Sequence, residues 1–311
     1  MNVENSLARE IAGLKKQRDA VVLAHFYTPG DVQDVADFIG DSLALAQIAR
    51  TLPNRVIVLC GVHFMGETAK ILCPDKTVLV PDLGAGCSLA DSCPADEFAA
   101  FVAEHPGHTV VSYVNTSAAV KAHTDVVVTS SNARQIVEAL PSDTPIIFGP
   151  DRNLGNYISS VTGREMLIWD GACHVHEQFS LEKLIALKKE HPGAPVLVHP
   201  ECKKPVQMLA DKVGSTKALL DFAKASDSPE FIVVTESGIL HQMRKECPDK
   251  TFIPAPPDEA GCSCNECSFM KLNTLEKLRD CLRDMSPAIT VDPDIAAKAV
   301  KPIERMLEMS R

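Results

Sequence analysis

The stretch ADFIGDSLALAQIA that begins at Ala36 returns as ADKVGSTKALLDFA at Ala210, 174 residues later. The same offset separates two copies of CPDKT, at Cys73 and Cys247, and AGCS ending at Ser88 recurs one residue out of step at Ser263. A middle copy is more divergent. VVSYVN at 110–115 falls midway between VVLAHFY and VLVHPE, and VTSS at 128–131 parallels VTES at 234–237. A period of about 87 residues overrides the two-domain prior of a 311-residue chain and predicts three related units. Nine short apolar, β-branched runs, in three sets of three, alternate with helical patterns. Such continuous apolar strands belong to parallel sheets covered on both faces. The expected fold is therefore α/β: three homologous units with parallel sheets around a pseudo-threefold axis, and a site at their central interface. The expected boundaries are 1–92, 93–178 and 179–267, with a helical segment 268–311 packing back on the units.

The net charge of −10 argues against extended contact with nucleic acid or an anionic membrane, since both need basic surface. No apolar run reaches the length of a membrane span, and the N-terminus MNVENSLAREIAGLKKQRD reads as a charged amphipathic helix. A cytoplasmic protein without nucleic-acid or membrane partners is expected.

Ligands of parallel sheets sit beyond the carboxyl ends of the strands. There the first strand of each unit carries chemically capable residues: His25 and Tyr27, Tyr113 and Asn115, His199 and Glu201. One such residue is ordinarily a packing or capping group; six at equivalent places would converge on a common axis. Hydroxyls form a second set, at Asp41-Ser42, Ser130-Ser131 and Ser215-Thr216. Each is read as following a helical stretch and capping the start of the next helix. Helix starts also attract anions, so three of them would suit a polyanionic small molecule. Lys121 and Lys203 read as solvated charges.

Eleven cysteines are many for a chain with no sign of an oxidising compartment. Most read as small buried hydrophobes. One per unit, however, lies in a glycine-containing loop after a strand: Cys87 in GAGCSL, Cys173 in DGACHVH, and the group Cys262, Cys264 and Cys267 in AGCSCNEC. Zinc on the local group plus a histidine would be an incomplete four-ligand site. Three thiolates from three loops suit an iron–sulfur cluster with one iron lacking a protein ligand, free to act as a Lewis acid. Dehydration or condensation of a small acid would follow.

The motifs AHFYTPGDVQDVADFIGDSLALA (24–46), GVHFMGETAKIL (61–72), PDLGAGCSLAD (81–91), SYVNTSAAVKA (112–122), GPDRNLG (149–155), CHVHEQF (173–179) and CSFMKLNTLEKL (267–278) closely resemble the quinolinate synthase family over nearly the whole chain. The resemblance implies three α/β domains and a [4Fe–4S] cluster on Cys87, Cys173 and Cys267. The internal repeat alone would choose Cys262. The implied reaction condenses iminoaspartate with dihydroxyacetone phosphate to quinolinate, losing phosphate and two waters, with a functional link to the iminoaspartate-producing enzyme. The resemblance also implies substrate binding by His25, Ser42, Tyr113, Asn115, Ser130, His199 and Thr216, with Glu201 and Tyr27 as acid/base groups and His176 and Met65 lining the pocket. The alternatives are an aconitase-like hydro-lyase and a metal or redox sensor built on CxCxxC.

Overall fold

A computed structural model describes residues 3–258 and 265–311. Among them are twelve strands: β1 (Ala20–His25), β2 (Phe38–Gly40), β3 (Val56–Cys60), β4 (Thr77–Leu79), β5 (Thr109–Tyr113), β6 (Val126–Val128), β7 (Ile146–Gly149), β8 (Met166–Ile168), β9 (Val196–Val198), β10 (Lys212–Val213), β11 (Glu230–Val234) and β12 (Thr251–Pro254). They form three four-stranded sheets with one shared order: β2-β1-β3-β4, β6-β5-β7-β8 and β10-β9-β11-β12. Every ladder is parallel. The chain is α/β, as the repeat predicted.

All nine expected strands are present, but the sets are four rather than three. The strands not foreseen are the edge strands β2, β8 and β10. They are two or three residues long and partly exposed, too short to show a strand period. Consequently the residues before Gly40 and Gly214 are strand, not the helical stretch that the sequence reading expected. A repeated aspartate brings the chain onto the sheet there. Asp37, Asp125 and Asp211 each donate their N–H to the carbonyl of Val22, Val110 or Val196 at 2.9 Å. The carboxylate of each then accepts the same valine's N–H at 2.8 Å. One residue thus satisfies both backbone groups of a buried central strand.

The repeated CPDKT is structural too. The ammonium of Lys76 donates to the carbonyls of Ala49 and Leu52 at the end of the helix Ser42–Thr51, and Lys250 does the same for Ala223 and Ser226 after Thr216–Ala225. In the middle unit Arg164 takes this place, reaching Val137 and Leu140. A cation on otherwise unpaired C-terminal carbonyls satisfies them and complements the helix dipole. The main core joins the first two sheets with the helix Pro293–Met309. The helix Leu275–Asp284 buries Leu278 and Leu282 against Ile11 of Val3–Gln17.

Beyond each first strand, the turn that bears the candidate site residues is held by a side chain from the next helical segment. Gln33 donates to Phe26 O and Thr28 O at 2.9 and 2.8 Å, and Gln207 donates to Pro200 O and Cys202 O at 2.7 and 2.6 Å. The middle copy uses Lys121, which donates to Val114 O at 2.8 Å and to Thr116 O. Lys121 is fully buried, with its ammonium 5.4 Å from the Phe64 ring centroid, and burial pulls its pKa down to about 8. It is therefore not the solvated charge expected from sequence. Lys203 is: it lies part-exposed beside Asp258, 3.6 Å away.

Because glutamine fills this role twice, Lys121→Gln should keep the thermal unfolding midpoint within a few degrees of the parent. Lys121→Met leaves two buried carbonyls without a donor and should cost about 2 kcal/mol or more. Equal midpoints for the two variants in calorimetry would contradict the clamp.

Candidate active site

The ladder register makes His25, Tyr113 and His199 equivalent, and two residues further on Tyr27, Asn115 and Glu201. All six line one cavity. Ser42, Ser130 and Thr216 line it as well, as do Cys87, Cys173, Cys267, Met65 and His176. Every site residue expected from the sequence thus lies on a single cavity among the described residues. Cys262 and Cys264 lie outside the described residues.

The helix starts differ from expectation in detail. The N-caps are Asp41 and Ser215, accepting from Ala44 N and Ala218 N; Ser42 and Thr216 are the first helical residues. In the middle unit the cap position is Asn132, two residues beyond Ser130. Aspartate and serine at position 41 or 215 present an acceptor to the third amide on, which frees the next hydroxyl for the cavity. The three starts also meet: the Ser131 hydroxyl contacts Asp41 Oδ2 at 2.6 Å and Ser215 Oγ at 2.9 Å.

Two histidines are fixed in one tautomer by their own turns. Tyr27 N–H donates to His25 Nδ1 (3.2 Å), and Glu201 N–H donates to His199 Nδ1 (3.3 Å). With Nδ1 accepting, Nε2 carries the proton in each neutral ring. Burial lowers His25 to about 4 and His199 to about 3, so both are neutral N–H donors at physiological pH. His199 spends its donor on Ser130 Oγ at 3.3 Å.

A continuous chain of contacts joins the two acid/base candidates. The Tyr113 hydroxyl donates to Glu201 Oε1 at 2.5 Å, and His176 Nδ1 lies 3.0 Å from Glu201 Oε2. His176 Nε2 is 3.0 Å from Thr235 Oγ1, which is 2.8 Å from the Tyr27 hydroxyl. Tyr27 also contacts Thr216 Oγ1 at 2.5 Å. Burial raises the Tyr27 phenol well above its usual range, and Glu201 adds to the shift, so the proton stays on. Burial opposes ionisation of Glu201 as well, but the His176 imidazole and the Tyr113 hydroxyl, both bonded to it, outweigh it and hold the carboxyl below its ordinary value. The site therefore contains a protonated phenol and an ionised carboxylate linked by hydroxyl and imidazole. Thr235 was missed in sequence because it lies on the third strand's end; the VTES–VTSS parallel is no guide to it, since VTSS ends the edge strand β6 and VTES ends the central strand β11.

Cys87 and Cys173 occupy equivalent positions at the starts of the short helices Ser88–Asp91 and His174–Glu177, and Cys267 precedes the 3-10 turn Met270–Leu272. Burial pushes Cys87 up to about 12 and raises Cys173 and Cys267 as well. Three thiols that hold their protons in this cavity ionise when a metal takes the proton's place. Three soft donors line one cavity without a fourth cysteine among the described lining residues, so the set fits a thiophilic metal or iron–sulfur centre. His176 and Glu201 also bring ligand atoms within 4.8 Å of Cys173 Sγ, but they are hydrogen-bonded to each other.

Substituting alanine singly for Cys87, Cys173 or Cys267 should abolish stable iron binding after anaerobic reconstitution, whereas Cys262→Ala should retain it. Loss of iron in Cys262→Ala with retention in Cys267→Ala would show that the internal repeat was the better guide to the third ligand.

A family model described as quinolinate synthetase A protein matches residues 9–308. Proteins named quinolinate synthase from Thermosynechococcus vestitus and Chloroherpeton thalassium are each 57% identical to this chain, with 98% of this chain and 95% of theirs covered. One from Microcystis aeruginosa is 55% identical over 99% of this chain and 97% of its own. The shared strand order, the single cavity and this likeness agree: the chain belongs to the quinolinate synthase family.

Proposed function

We propose that the cavity condenses iminoaspartate with dihydroxyacetone phosphate to form quinolinate, phosphate and two waters, with a [4Fe–4S] cluster on Cys87, Cys173 and Cys267. The atoms balance without an oxidant or reductant, so the protein has to bind, orient and move protons rather than electrons. The single observation that carries this reading is that three thiols from three loops and the hydrogen-bonded chain from Tyr27 to Tyr113 open onto the same cavity.

When bound, the cluster supplies a Lewis-acidic iron without a protein ligand for a substrate hydroxyl or carboxylate. The rest belongs to the chain. The Nε2–H of His25, the hydroxyls of Ser42, Ser130 and Thr216, and the amide of Asn115 bind the carboxylates and polar groups of the substrates. They are neutral donors, so they hold an anion without neutralising it, and the buried site strengthens each bond. His199 orients Ser130 and adds its stacked ring to His176, with centroids 4.7 Å apart.

Forming the ring needs protons removed from carbon and nitrogen and delivered to departing hydroxyls. Glu201, kept ionised, accepts a proton at Oε1 or Oε2. The Tyr27 hydroxyl, kept protonated, donates to a leaving hydroxyl. Thr235 and His176 connect the two, which ties the orientation of the acid to that of the base without an intervening water. The reaction would take place in the cytoplasm, on iminoaspartate supplied by the enzyme that makes it.

Anaerobic incubation of iron-reconstituted protein with both substrates should yield quinolinate by mass spectrometry. A protein that carries its iron yet forms no quinolinate would overturn the assignment. Glu201→Gln should retain iron while quinolinate formation falls by about 100-fold or more, the range usual for a general base. Retained turnover in that variant would remove Glu201 from the acid/base role.

A further inference from the structure

Two residues past the end of the third strand, the register aligns Val62, Asp151 and Glu236. Asp151 and Glu236 are completely buried. Each accepts the backbone N–H of a candidate cluster cysteine: Asp151 Oδ2 from Cys173 at 3.3 Å, and Glu236 Oε1 from Cys267 at 3.0 Å. Both aim a carboxylate at the peptide that carries a thiol. Neither residue stood out in the sequence.

Glu236 does more than its counterpart. Its Oε2 accepts from Gly238 N at 2.7 Å, and its Oε1 lies 2.9 Å from the ammonium of Lys271. Lys271 in turn donates its ammonium to Tyr27 O at 2.9 Å and its N–H to Cys267 O at 3.1 Å. Cys267 is therefore gripped at its amide by Glu236 and at its carbonyl by Lys271, and the same lysine fixes the backbone of Tyr27 from the first unit. Gly238 permits the approach, since a Cβ there would lie 2.7 Å from Tyr27 Cα.

Resting on the cluster assignment above, we infer that Glu236 and Lys271 are positioning residues that preset the Cys267 thiolate for the cluster and lock it to Tyr27. Glutamine cannot replace the glutamate, because both carboxylate oxygens accept and one end of an amide would present N–H to N–H. A loosened ligand would release metal faster and, in the metal-free protein, expose its thiol.

The test uses the full chain without relying on turnover. In the metal-free protein, alkylation of individual cysteines by iodoacetamide is followed by mass spectrometry; in the iron-loaded protein, iron loss to a chelator is timed. Glu236→Gln should speed alkylation of Cys267 and chelation of iron by about tenfold, the usual scale for an outer-shell partner of a metal ligand. Cys87 and the buried Cys60 should react as in the parent. Unchanged rates at Cys267 and for iron would overturn the inference. If Cys60 also becomes reactive, the variant has opened globally and Lys271→Gln carries the decision: acceleration confined to Cys267 supports the inference, and any other pattern rejects it. Because alkylation is read on metal-free protein, it can fail while quinolinate formation succeeds, and the reverse.

Discussion

A buried ionised carboxylate has to be stabilised by donors from the protein, and Glu201 sets this demand at the centre of the site. It is met by the Tyr113 hydroxyl, at the end of the middle unit's first strand, and by His176, in the helix that follows Cys173. Both reach Glu201 from parts of the chain earlier than its own sheet. Losing either partner would leave a buried charge short of a donor, which is far more costly than losing a surface pair. The cavity is thus held together by the same contacts that make it reactive. His199 keeps its Nδ1 for the Glu201 amide, so its tautomer also depends on this turn.

Three copies of one scaffold allow chemistry to be divided among equivalent places. The structural positions have stayed alike: the aspartate at each edge strand, the cation at each helix end, and the glutamine or lysine behind each turn. The positions facing the cavity have diverged. One offers histidine, tyrosine and histidine; the next offers tyrosine, asparagine and glutamate. A donor, an amide and a base thus come from one strand-end geometry used three times.

The outline of this arrangement was legible in the sequence because parallel strands buried on both faces leave long apolar runs, and because ligands sit at their carboxyl ends. His25, Tyr113 and Glu201 could be named from that rule. What escaped were features with no local pattern. β2 and β10, three and two residues long, are too short to show a period. Lys121 looks like any surface lysine, and only the matching offsets to Gln33 and Gln207 disclose its buried role. Thr235 and Glu236 become meaningful once the third strand's register is known. The choice between Cys262 and Cys267 rested on likeness to a family, since repeat and family pointed to different residues.

The central claim is that three thiolates, one from each loop, hold a cluster with one iron left for the substrate. Mössbauer spectroscopy of protein reconstituted with iron-57 tests it most directly, recorded anaerobically with and without quinolinate. The account predicts that about a quarter of the iron signal, from the iron without a protein ligand, shifts when quinolinate binds while the rest stays unchanged. A spectrum in which all the irons remain equivalent with quinolinate bound would contradict it.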